Sequence, residues 1–181
     1  MTADLTLRAV RYDSPDAVEL TEQVQEFYIE IYGGPDGTPF SAEDFTPPNG
    51  GFLVGYLDGR PVAMGGWRFA PYAAPAGAER AAEIKRMYVA TAARGRGFGR
   101  AVLTALEDDA RATGADWMVL ETGEPQMAAV TLYRRCGYAD IAPYGFYADK
   151  PEVVSLGKRL RTPALGRGHG EQREDRIPGG R

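Results

Sequence analysis

The chain has 181 residues, 44% of them hydrophobic and 25% charged, with a net charge of −4, one cysteine and one histidine. That balance fits one globular domain with a real core, and no run approaches the roughly 20 apolar residues of a membrane span. A single cysteine, Cys136, leaves no internal disulfide or cysteine-built metal site, and an acidic body argues against general nucleic-acid binding.

No basic-then-apolar signal pattern is read in residues 1–10, so a cytoplasmic location is expected. Leu5, Leu7 and Ala9 alternate with polar neighbours as in a first strand. Ser14-Pro15 opens a helix whose apolar face runs through Val24, Phe27 and Ile31 to Tyr32, where Gly33-Gly34-Pro35 stops it. Ser41, with Asp44 three residues on, starts a second short helix. Residues 52–57 and 62–69 flank Asp58-Gly59-Arg60 as a hairpin. A strand is expected over 82–89, a helix over 101–113, a strand over 116–121 and a helix over 125–136 capped by Gly137. Two short strands follow, over 139–144 and 152–158. The reading gives a single mixed α/β (α+β) domain over residues 1–160 and a flexible tail over 161–181.

The stretch richest in information is Arg94-Gly95-Arg96-Gly97-Phe98-Gly99-Arg100, a glycine turn between a strand and a helix. The first amides of a helix lack internal partners, and its dipole makes that end partly positive. Glycines let such a backbone approach an anion closely, so the turn is suited to hold a phosphate. A Walker A loop would need Lys and Ser/Thr where Arg100-Ala101 stand, and the Rossmann G-x-G-x-x-G spacing fails at Arg100 or Val102.

The spacing Arg94-x-x-Gly97-x-Gly99 resembles the acetyl-coenzyme A loop of the GNAT superfamily of N-acetyltransferases. Arg86-Met87-Tyr88-Val89 before the loop, and Leu132-Tyr133-Arg134-Arg135-Cys136-Gly137-Tyr138 beyond it, are similar to that family too. The resemblance implies a strongly bent, mostly antiparallel sheet with helices on both faces. It also implies acetyl-CoA as cosubstrate and no metal. It places the coenzyme along the backbone of Met87, Tyr88 and Val89 and around the Arg94–Arg100 turn, and it is compatible with a homodimer.

Acetyl transfer to an amine needs a base, a donor for the oxyanion and a proton for the departing thiolate. His169, the lone histidine, lies in the tail, so a histidine base or triad is not expected. By resemblance, Glu83 is the expected base and Tyr133 the expected acid. Cys136, on an apolar helix without a histidine to activate it, reads as a small hydrophobe, and Trp67 and Trp117 read as core. The acceptor pocket is expected to draw on Tyr28 and Tyr32, with Tyr144 and Tyr147 from the far side. The expected activity is acetylation of a primary amine on a small molecule. The alternatives are acetylation of a protein N-terminus or lysine, and a non-catalytic acetyl-CoA sensor.

Overall fold

The computed structural model describes residues 4–160; the tail expected over 161–181, with His169 in it, lies outside the described residues. β1 (Thr6–Ala9) leads into α1 (Pro15–Tyr32), which has proline at its start and Gly33 in the left-handed region at its end. Gly33 donates its amide to Ile29 O at 2.9 Å, closing the last turn. A single 3-10 turn (Ala42–Phe45) follows Ser41, whose amide donates to the Asp44 carboxylate at 3.0 Å. β2 (Gly50–Leu57) and β3 (Arg60–Phe69) form the expected hairpin. Its two turn residues, Asp58 and Gly59, both have positive φ (51° and 79°), which matches the twist of the flanking strands.

β4 (Ala81–Val89) is followed by α2 (Phe98–Ala112), which begins three residues before the expected Ala101. Gly97, at φ 80°, caps the helix, and the Phe98 ring then turns into the core. β5 (Trp117–Gly123) leads to α3 (Met127–Arg135), which starts after Pro125 because Gln126 closes a turn onto Gly123 O at 2.9 Å. The strand expected over 139–144 shrinks to β6 (Ala139–Asp140). Pro143 has no amide to donate to a ladder, and the chain leaves the sheet there. β7 (Val153–Arg159) ends the described fold.

The seven strands lie in the order β1-β2-β3-β4-β5-β7-β6, antiparallel except for β4 beside β5. On one face α1 buries Ala17, Leu20 and Val24 against Phe52, Val54 and Met64. On the other, α2 buries Val102, Leu103, Leu106 and Ala110 against Trp67, Ala82, Ile84 and Met118. Each such Leu or Val side chain contributes about 1.5–3 kcal/mol on burial. Helices therefore cover both faces, as expected. Gly65 lets α2 lie directly on β3, since a Cβ there would stand 2.9 Å from Leu106.

β4 is irregular along both of its edges. The parallel ladder between β4 and β5 holds only from Ala81–Trp117 to Glu83–Val119; beyond it the two strands part and the sheet carries an open notch. On the other edge of β4, three residues of β3 (Met64 to Gly66) oppose four of β4 (Lys85 to Tyr88). Arg86 sits in that bulge at φ 55°, a left-handed conformation that costs a non-glycine residue about 1–2 kcal/mol. The bulge resets the alternation, so that Ile84 and Met87 both pack on the α2 side.

Candidate active site

Where β4 and β5 part, the notch widens into a cavity of about 380 Å³. Its walls are Ile84–Met87 of β4 and Leu120–Gly123 of β5; Tyr28, Tyr32, Asp36 and Tyr133 close it from α1, the following loop and α3.

The edge of β4 that faces the notch has no strand partner after Glu83. Ala90 donates its amide to Val62 O on the β3 side at 2.9 Å. Alternation then turns the Tyr88 amide towards β3 as well, and leaves the amides of Met87 and Val89 on the free edge. Of the three residues expected along the coenzyme, Tyr88 therefore offers no free-edge amide, and its ring packs towards the α1 core. Arg94 marks the open edge by donating from Nε to Val89 O at 3.0 Å.

Gly95 and Gly97 have φ of 77° and 80°, and a Cβ on either would meet nothing within 4 Å. The surface of the turn is thus open, and Ala101, bonded to Gly97 O at 3.1 Å, closes the first turn of α2 behind it. The amides of 98–100 remain as the unpaired start of the helix. This arrangement fits a pyrophosphate, with exposed Arg94, Arg96 and Arg100 around it. Phe98 presents only its backbone at the turn, its ring being buried. Gly99 serves packing: a Cβ there would come to 3.2 Å from Leu132 of α3.

Glu83 differs from expectation. It sits where β4 and β5 part, is 1% exposed, and does not line the cavity. Arg68 Nε donates to its Oε2 at 3.2 Å and Tyr72 OH at 2.8 Å, while Lys85 Nζ pairs with Oε1 at 3.0 Å. Its carboxylate is committed to structural partners on both oxygens.

Asp36 and Glu152 are among the residues that line the cavity, and so is Glu121, on β5, which in the sequence pattern is merely the end of a strand. Oε1 accepts from the Tyr144 amide at 3.2 Å and the Ser155 hydroxyl at 3.3 Å. Oε2 has no hydrogen-bond partner among the described residues. Burial pushes the Glu121 pKa above the ordinary glutamate value, although the Tyr144 amide and the nearby Lys85 pull it back in part. The available signal was a lone carboxylate closing the apolar run Trp117–Leu120, on a strand flanked on both sides.

Tyr133, on α3, lies on the cavity wall and is 6% exposed. Its hydroxyl has only the Met87 sulfur as a partner, at 3.6 Å, and burial raises the phenol pKa, so the proton is held but weakly engaged. Tyr28 and Tyr32 also line the cavity; the Tyr32 hydroxyl accepts from Gln126 Nε2 at 2.9 Å. Tyr147 lines it too, accepting from the Gly37 amide and donating to Asp36 Oδ1, both at 2.8 Å. Tyr144 does not. Gly145, at φ 73°, helps turn the chain so that the Tyr144 ring packs with Ala70, Ala73 and Val119, and only its backbone reaches Glu121. Cys136 is half-buried against the α2 core, Trp67 is buried and Trp117 half-buried. Among the described residues no group of three or more His, Cys, Asp or Glu is arranged to hold a metal.

Comparison with known proteins gives a consistent picture. The sequence model of the acetyltransferase (GNAT) family matches residues 19–138. A protein of Azospirillum brasilense described as an IAA acetyltransferase is 33% identical over 143 residues, spanning 79% of this chain and 90% of its own. Among solved structures, a Klebsiella pneumoniae protein assigned as an acyl-CoA N-acyltransferase superposes with a TM-score of 0.71 at 24% identity, covering 88% of this chain and all of its own. An assigned acetyltransferase of Salmonella typhimurium, solved with its cofactor acetyl-CoA, gives 0.64 at 20% identity over 88% of this chain and 96% of its own. These two likenesses are likenesses of fold.

Proposed function

The chain belongs to the acetyltransferase (GNAT) family, whose cosubstrate is acetyl-CoA, and from that premise we propose that it acetylates a primary amine on a small molecule by direct transfer. The observation that carries the proposal is the placement of Glu121 and Tyr133 on one cavity, at the free edge of β4. The cavity volume of about 380 Å³ suits a small acceptor.

Acetyl-CoA supplies a thioester; the chain supplies the proton chemistry. The Arg94–Arg100 turn holds the phosphates, and the amides of Met87 and Val89 hold the acyl arm along β4 and donate to the developing oxyanion. Glu121 Oε2 takes the ammonium proton, which frees the nitrogen lone pair to form the new C–N bond. The C–S bond breaks with its electron pair on sulfur, and Tyr133 gives that sulfur its phenolic proton. The second nitrogen proton, shed as the amide forms, restores the phenol. A raised Glu121 pKa brings the base nearer to working pH, and a buried phenol stays protonated until the thiolate leaves. Glu83 takes the role of fixing Lys85 and Arg68 behind the cavity.

Free-thiol release from acetyl-CoA across a panel of amines and basic peptides tests the proposal. Turnover confined to small amines supports it. Turnover confined to peptides favours protein acetylation instead. Tight acetyl-CoA binding without turnover of any acceptor favours the sensor reading, for which Glu121 and Tyr133 would have no purpose.

A further inference from the structure

The cavity has two unlike walls. On β5, Glu121 presents a carboxylate with no cation within salt-bridge distance among the described residues. On β4, Lys85 and Arg86 stand side by side at the bulge. Lys85 is held from behind by Glu83, whose charge is shared with Arg68.

Arg86 is the less satisfied of the two. Its side chain is 4% exposed, its Nη1 donates to Asp36 Oδ2 at 2.8 Å, and its guanidinium lies 4.8 Å from the Phe40 ring centroid. Its Nε is buried without an acceptor and presents no surface for a ligand to meet, whereas Nη2, with no hydrogen-bond partner among the described residues, is not sealed off in that way. A guanidinium carries five N–H donors, and burying one with so few acceptors is costly unless a ligand completes the set. Asp36 has little more to give, since Oδ1 already accepts from the Thr38 amide, the Thr38 hydroxyl and Tyr147. A carboxylate matches the planar fork of a guanidinium better than any other common acceptor.

Resting on the acetyl-transfer reading, we infer that the acceptor is an amino acid or a similar amino-carboxylate: its ammonium faces Glu121, and its carboxylate meets Arg86 with Lys85 beside it. Polyamines and other amines without an anionic group leave the β4 wall unsatisfied and are poor acceptors. The cavity thus sorts amines by what they carry at the end that does not react.

The test compares kcat/KM for matched acceptors in the wild-type protein: phenylalanine, phenylalaninamide and phenethylamine, then lysine, lysinamide and cadaverine. The carboxylate member of the preferred set is expected to lead by on the order of 10- to 100-fold. The amides matter because their amines are less basic and so more often free to attack at neutral pH; a lead over them does not come from nucleophile basicity. In Arg86→Gln that ratio falls towards one, and Arg86→Lys recovers part of it. A ratio between two acceptors is unaffected by any misfolded fraction, and if Arg86→Gln yields no active protein, the wild-type ratio with Arg86→Lys decides. Equal or faster turnover of the decarboxylated amines or amides overturns the inference while leaving acetyl transfer standing. So does a carboxylate preference that survives Arg86→Gln. Absence of turnover with every amine overturns both.

Discussion

Asp36→Asn tests how the acceptor side of the cavity is held together. Asp36 ties three pieces of chain to one carboxylate: Arg86 on β4, Thr38 in its own loop, and Tyr147 from the segment before β7. Asparagine can keep the Oδ1 bonds, but its amide then points N–H groups at Arg86 Nη1, which stands 2.8 Å away, and the negative charge is gone. Removing one partner of a fully buried pair costs about 3–5 kcal/mol. Asp36 is 18% exposed in its side chain against 4% for Arg86, so the cost falls at or just below the lower end of that range, and about 2–3 kcal/mol is expected. Urea unfolding at neutral pH measures it, with Arg86→Gln completing a double-mutant cycle. The pH dependence gives an independent check. Burial pushes the Asp36 pKa up, but Arg86 and the Thr38 bonds outweigh it and the native value is lowered below 3.8. A lowered native pKa means the stabilisation is fully present above 3.8 and is lost as pH falls from there through the native value. The gap between wild type and variant should therefore close in strong acid. A variant within about 0.5 kcal/mol of wild type at neutral pH, or a gap that does not change with pH, would refute the reasoning.

Tyr133→Phe should lower kcat by ~10²-fold or more with little change in the KM for either substrate, because it removes a proton donor and not a binding contact. The acidic limb of the wild-type pH–kcat profile should lie above 4.5, the ordinary glutamate value, since Glu121 must be ionised to act and its pKa is raised; Glu121→Gln should abolish that limb. Gly97→Val places a branched side chain at φ 80°; it should cost about 1–2 kcal/mol in stability and raise the KM for acetyl-CoA by re-aiming the helix amides, both measurable on purified protein. Leu106→Ala, at a fully buried position against Gly65, should cost about 2–5 kcal/mol in urea unfolding and leave kcat/KM near wild type.

The fold was legible where local chemistry decides it. Ser14-Pro15 and Gly33 bracket α1 within a residue, and Asp58-Gly59 makes the hairpin turn that its sequence demands. The glycine turn lies at the start of α2 and Tyr133 within α3, the elements read for them from the sequence, since both sit in contiguous motifs. What the sequence hid depends on long-range register. The bulge at Arg86 carries no glycine to announce it, yet it decides which β4 side chains face the cavity. Glu83 and Glu121 look equally eligible as strand carboxylates in one dimension. They separate only once Arg68 and Tyr72, 15 and 11 residues away in sequence, close around Glu83 and leave Glu121 open. Tyr144 looks like a pocket aromatic because its neighbours are aromatic and polar, but its ring fills a small core of alanines and Val119.

The central claim, that acetyl transfer runs on Glu121 in the notch between β4 and β5, is tested most directly by thiol release in Glu121→Gln and Glu83→Gln side by side, each with its unfolding curve. For Glu121→Gln, kcat is expected to fall by ~10²- to 10⁴-fold with stability near wild type. For Glu83→Gln mainly lost stability is expected, because Lys85 and Arg68 lose their shared counter-charge. Near-normal turnover in Glu121→Gln, together with a dead but folded Glu83→Gln, would contradict that claim and return the base to Glu83.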